Sequence, residues 1–261
     1  MTKKVRLIAR LDIKGPKLIK GINLEGVRVV GDPHEYAKNY FHQGIDEILY
    51  MDSVATLYGR NSLAGLVRET TEDVFVPMTV GGGLRNLADV DEMMRAGADK
   101  VAINTAAVRR PELLTEVSRR YGSQAMVLSL EAKRRPSGKG WEVYVDLGRE
   151  KTDMDAIEWV QKAVALGAGE VLVTSVDREG MRAGFDVELV RAVCDVVDVP
   201  VIASGGMGKL EHASEVIEQG GADAVAMAHV LHYKQISLEN MRGFLLGRGI
   251  EVSVHDVAAH L

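Results

Sequence analysis

Short apolar runs rich in Val, Ile, Leu and Ala recur along the chain, separated by longer stretches whose apolar positions return every three or four residues. The first pattern suits strands buried on both faces and the second suits helices with one buried side. Their alternation predicts βα units around a parallel sheet. Eight strands are expected, at residues 5–11, 47–51, 76–80, 100–103, 125–130, 170–174, 200–203 and 224–228. Helices are expected at 33–43, 62–69, 86–95, 111–121, 153–166, 186–196, 210–219 and near 238–246. Asp32-Pro33 and Arg110-Pro111 place proline at a first helical position, and Asn86 or Asp186 can cap a first turn. Gly97, Gly122, Gly167 and Gly220 fall just past helix ends, where a left-handed residue is needed. No Pro/Ser-rich linker divides the 261 residues. The expectation is a single α/β domain over 1–261, a (β/α)8 TIM barrel.

The chain also reads as one half written twice. Val80-Gly81-Gly82-Gly83 and Ala203-Ser204-Gly205-Gly206 lie about 123 residues apart, each trailing an apolar run. Each is followed by a matching segment, Gly97-Ala98-Asp99-Lys100-Val101-Ala102-Ile103-Asn104 and Gly221-Ala222-Asp223-Ala224-Val225-Ala226-Met227-Ala228. Self-similarity at a fixed offset predicts two similar half-barrels. Two connections exceed the usual length, 13–32 and 133–152. In the second, a turn at Ser137-Gly138-Lys139-Gly140 leads into the alternating Trp141-Glu142-Val143-Tyr144-Val145, half of a small hairpin. Long loops after barrel strands sit on the catalytic face, so this hairpin insertion is expected over the barrel mouth.

Composition narrows the function classes. With 32 basic and 37 acidic residues, nothing drives the chain toward nucleic acid or an anionic membrane. The single cysteine, Cys194, excludes an intramolecular disulfide and a multi-cysteine zinc site and fits a reducing cytoplasm. It reads as buried helix filler. No apolar stretch reaches the ~20 residues of a membrane span, and the first residues do not read as a signal peptide.

Acidic residues recur where expected strands end: Asp12, Asp52, Glu131, and Asp177 with Glu179. Barrel active sites are built at those ends. Asp12 and Glu131 end the first and fifth strands, opposite positions in a ring of eight. Two opposed carboxylates can act as general acid and base if their surroundings separate their pKa values; they can equally cap helices or balance lysines. At the glycine turns, successive N–H groups can converge on a phosphate, and missing Cβ atoms let it approach. Gly83 and Gly206 belong to those turns. Asn104, Thr105 and Ser204 add side-chain donors, and His229 takes the place of Thr105 in the second half. Two such turns suggest a substrate with phosphate at both ends. No histidine spacing indicates a metal, and His255 and His260 belong to the tail. Arg6, Glu47, Lys100 and Glu170 open strands one, two, four and six. Pointing inward they would form a ring of alternating charge on the barrel floor, which as physics alone reads as a stabilising collar.

These residues resemble the cyclase subunit (HisF) of imidazole glycerol phosphate synthase over nearly the whole chain. The resemblance is carried by Ile8-Ala9-Arg10-Leu11-Asp12-Ile13-Lys14, Val80-Gly81-Gly82-Gly83, Asp99-Lys100-Val101-Ala102-Ile103-Asn104-Thr105, Thr174-Ser175-Val176-Asp177-Arg178 and Ala203-Ser204-Gly205-Gly206. It implies a barrel binding a bis-phosphorylated ribulosyl-formimino carboxamide ribonucleotide, with no cofactor. Ammonia from a glutaminase (HisH-type) partner, docked at the N-terminal face of the barrel, would travel through the core. Asp12 matches the family's catalytic aspartate and Lys20 a lysine of a mobile loop near 13–31. Gly83, Asn104 and Thr105 match one phosphate site; Gly180, Gly206 and Ala228 match the other. Arg6, Glu47, Lys100 and Glu170 match the family's ammonia gate, which replaces the collar reading.

The departures cluster at the mouth. The family's second catalytic aspartate is Glu131 here, its Asp-Arg-Asp-Gly-Thr is Asp177-Arg178-Glu179-Gly180-Met181, a phosphate-site serine is His229, and a small residue is Arg10. Relatives in surface-glycan pathways work with a glutaminase and an ATP-dependent ligase to amidinate an acetamido sugar. Cyclase, sugar amidination and a silent scaffold for the glutaminase therefore all stand as expectations.

Overall fold

The computed structural model describes residues 4–22, 25–53 and 63–253. Eight strands pair in parallel into a closed ring: β1 (Arg6–Lys14), β4 (Glu47–Asp52), β5 (Met78–Gly81), β6 (Lys100–Ile103), β7 (Met126–Arg134), β10 (Glu170–Ser175), β11 (Val201–Ser204) and β12 (Ala224–Met227). Pairing of β7 with β10 and of β12 with β1 closes it, so the parallel ring has no free edge. Helices between strands cover the outside, giving the (β/α)8 barrel expected from the alternation.

Strand period explains how one chain builds two cores. Along β1, Leu7, Ala9, Leu11 and Ile13 join the large cluster between strands and helices, whereas Ile8 joins Leu49, Met51, Ala102, Val127, Leu172, Ile202, Ala224 and Ala226 inside the ring. Successive side chains alternate faces, so Arg6, Arg10 and Asp12 share the inward face with Ile8.

Two antiparallel excursions rise from the strand ends. β2 (Lys17–Ile22) pairs with β1 and with β3 (Glu25–Gly31); β8 (Trp141–Val145) pairs with β7 and with β9 (Glu150–Asp155). Each follows the first strand of its half. Residues 17–31 read as loop from sequence because Lys17, Lys20 and Gly21 interrupt the apolar run, yet Lys17–Ile22 pairs with the overhanging end of β1 and Glu25–Gly31 pairs in turn with Lys17–Ile22. The helix expected from residue 153 begins later, as Ala156–Ala165, because Asp155 ends β9 and caps the helix through Ile157 and Glu158 N–H. The helix read from Pro111 is preceded by a separate short one, Thr105–Arg109. At 220–221 the left-handed residue is Gly221, not Gly220. The expected helix start at Ser62 and the tail histidines His255 and His260 lie outside the described residues. No helix among the described residues is long and apolar enough to cross a membrane.

Candidate active site

Inward-facing residues stack in tiers along the barrel axis. At the strand starts, Arg6 pairs with Glu47 and Glu170, and Lys100 Nζ lies 3.2 Å from Glu47 and 2.9 Å from Glu170. The four side chains thus close a ring of alternating charge. Above it comes the apolar layer of Ile8, Leu49, Val127, Leu172, Ile202 and their neighbours. Above that lies a polar layer of Arg10, Thr174 and Ser204, all buried. At the mouth stand Asp12 and Glu131, 5% and 4% exposed.

The two carboxylates have opposite electrostatics. Burial opposes ionisation of Asp12, but Arg10 Nε at 2.9 Å and Lys20 Nζ at 3.5 Å outweigh it and hold its pKa below the ordinary value. Glu131 is pushed up from 4.5 to about 7, chiefly by burial, with the Gly148 N–H and Arg10 opposing. Gly148 donates to Glu131 Oε2 at 2.8 Å from the turn joining β8 to β9. That turn carries Asp146 and Leu147 at φ of 49° and 62°, conformations uncommon outside glycine and costly for leucine. Its partners compensate: Asp146 N–H donates to Thr105 Oγ1 at 3.1 Å, and Arg109 pairs with the Asp146 carboxylate at 2.9 Å.

Two pockets flank this pair. One, of about 340 Å³, is lined by Gly82, Gly83, Asn104, Thr105, Glu131 and Leu147 among others. Asn104 Nδ2 donates to the Tyr144 carbonyl at 3.1 Å, while its buried Oδ1 has no partner among the described residues. The other pocket has only about 20 Å³ and is lined by Arg10, Lys20, Glu179, Gly180, Gly206, Ala228 and His229. Gly206 has φ of 112°, and a Cβ there would collide with the Gly184 carbonyl, so only glycine closes this turn. Lys20 is buried in an ion pair with Glu179, which with Asp12 outweighs the cost of burial and raises its pKa. His229 is pushed down by burial and by the nearby charges of Arg182 and Lys20.

The candidate catalytic, phosphate-site and gate residues therefore fall in four places. Asp12, Lys20 and Glu131 are at the mouth. Gly83, Asn104 and Thr105 are in the larger pocket, and Gly180, Gly206, Ala228 and His229 are in the smaller. Arg6, Glu47, Lys100 and Glu170 form the floor ring. Sequence reasoning noted Arg10 only as a departure and missed the Leu147–Gly148 turn. The period of two in β1 was the available signal, because it puts Arg10 on the face of Asp12. Among the described residues no group of three His, Cys, Asp or Glu side chains could hold a metal.

The sequence model of the family described as "Histidine biosynthesis protein" matches residues 6–237. A protein of Legionella pneumophila, "Imidazole glycerol phosphate synthase subunit HisF", is 60% identical over 207 residues, 79% of this chain and 97% of its own. The chain belongs to the HisF family. A Thermobifida fusca (strain YX) protein of the same description is 46% identical over 256 residues, 97% of this chain and 100% of its own. Neither description concerns glycan synthesis, and the expectation of sugar amidination finds no support in them.

Proposed function

We propose that this chain performs the ammonia-dependent cyclase step of imidazole glycerol phosphate synthase. The observation that carries the reading is the pair of buried carboxylates held in opposite protonation tendencies at the mouth. Ammonia attack on the substrate's carbonyl carbon needs a proton delivered to the departing oxygen and another removed from nitrogen. A protonated Glu131 suits the first and an ionised Asp12 the second. Cyclisation and cleavage then yield imidazole glycerol phosphate, aminoimidazole carboxamide ribonucleotide and water. The larger pocket, with Gly83, Asn104 and Thr105, takes one phosphate; Lys20, Gly180, Gly206, Ala228 and His229 serve the other.

The tiers below the mouth suit ammonia arriving from the floor. A HisH-type glutaminase would dock there, where an opening of about 220 Å³ is lined by Arg6, Lys100 and Glu170. The ion-pair ring opens the path, and the apolar layer favours neutral ammonia over ammonium, whose burial is costly. An ATP-dependent ligase partner belongs only to sugar amidination, which no observation favours.

The test is turnover of the bis-phosphorylated ribonucleotide by the purified chain with ammonium chloride and no partner. Formation of imidazole glycerol phosphate is expected. A folded protein that forms none would overturn the proposal.

A further inference from the structure

The smaller pocket combines two facts that pull in opposite directions. It is walled by cations and a glycine turn, yet its void of about 20 Å³ has room for little more than one water. The occupant is the protein's own Glu179. This carboxylate is 4% exposed and ion-paired to Lys20, and a Cβ on Gly205 would meet its Oε2 at 3.1 Å. An internal anion thus lies against the turn that would otherwise receive a ligand's anion.

Arg10 is the second part of the arrangement. Its guanidinium is 3% exposed and lines the same pocket. Nε donates to Asp12 at 2.9 Å, and Nη1 donates to Thr174 Oγ1 at 3.1 Å and Ser204 Oγ at 3.0 Å. Those bonds use three of the five N–H groups of a guanidinium. Among the described residues neither hydrogen of Nη2 has a hydrogen-bond acceptor. A buried cation with two uncommitted donors, fixed on three sides, is preorganised for an anionic oxygen.

We propose that Arg10 is a specificity-determining residue of the smaller pocket, donating from Nη2 to a phosphate of the substrate, and that Glu179 holds the place of that phosphate until it arrives. The inference rests on the function proposed above and deepens it. Binding exchanges one anion for another: the phosphate takes the cationic wall, and Glu179 swings off Lys20. Lys20, which pairs with Glu179 and Asp12, is thereby freed on the Glu179 side to face the phosphate together with Arg10. Arg10 also touches Asp12, so occupancy of the pocket and the orientation of Asp12 are mechanically linked.

The two residues give effects of opposite sign. Inorganic phosphate is titrated into the full chain and the variants Arg10→Met, Arg10→Lys and Glu179→Gln, with bound phosphate resolved by phosphorus NMR; KM and kcat for the ribonucleotide are measured in parallel. Arg10→Met should weaken one bound phosphate about ten- to a hundredfold and raise KM by a similar factor, as expected for a charge-assisted bond. The other phosphate should be unchanged. Arg10→Lys should recover part of the loss, and Glu179→Gln should tighten the same phosphate. Wild-type phosphate affinity and KM in Arg10→Met would overturn the inference, as would weaker phosphate binding in Glu179→Gln. If Arg10→Met does not fold, Arg10→Lys with undiminished phosphate affinity overturns it instead. If the wild type binds phosphate without turning over the ribonucleotide, the cyclase reading falls while the titrations still decide the role of Arg10.

Discussion

At the scale of single residues, the mouth works by contrast between two carboxylates a protein would ordinarily hold alike. Asp12 is compensated by Arg10 and Lys20; Glu131, equally buried, has one backbone donor and a more distant cation. Asp12→Asn keeps the shape but removes the proposed base. Ammonia-dependent kcat should fall by about 10²- to 10⁴-fold with KM changed little, and equal turnover in a steady-state assay would remove Asp12 from the mechanism. Glu131 carries a pH signature. Its folded pKa is raised, so between its ordinary 4.5 and about 7 the folded state holds a proton the unfolded chain has released. Stability contributed by that proton is full below the ordinary value and is lost as pH rises through 7. The loss is on the order of 3 kcal/mol from the shift. Denaturant unfolding from pH 4 to 8 should show this falling component in the wild type and not in Glu131→Gln. The kcat profile should lose an inflection near 7 in the same variant.

At the scale of elements, turns hold the site. The glycine turns were legible because glycine is the residue that accepts positive φ cheaply, and their duplication marked them as more than punctuation. Gly206→Ala places a methyl group into the Gly184 backbone at a φ of 112°. It should cost more than about 2 kcal/mol, read as a fall of roughly 5–10 °C in Tm. An unchanged Tm would mean the turn is softer than its geometry implies. The excursions were less legible. Lys17–Ile22 and Glu25–Gly31 carry weak strand signals and form because β1 and β7 outrun their barrel neighbours and leave ladder positions for β2 and β8. Trp141–Val145 showed its alternation plainly, but its turn only in part: Asp146 and Gly148 are turn residues, whereas Leu147 at positive φ is not, and Thr105 and Arg109 hold the turn through Asp146.

At the scale of the whole molecule, the inward side chains stack from the floor ring to the mouth along the barrel axis. The floor ring brings together residues as far apart as Arg6 and Glu170, and no local preference builds it. If it is the entry for ammonia, Lys100→Ala should change glutamine-dependent turnover with a HisH-type partner and spare turnover on ammonium chloride. Parallel loss in both assays would return the ring to a structural collar.

The sequence by itself determined the barrel, its half-repeat and the tier on which each inward side chain stands. Those follow from two periods, 2.0 and 3.6, and from the count of eight units, and both are local properties of the chain. Only the tertiary structure decided the chemistry of each tier. Whether a carboxylate is acid or base, or a pocket open or filled, depends on which charges the closed ring brings within reach across well over a hundred residues of sequence. Arg10 meets Thr174 and Ser204, and Lys20 meets Glu179, only because β1 lies in the same ring as β10 and β11.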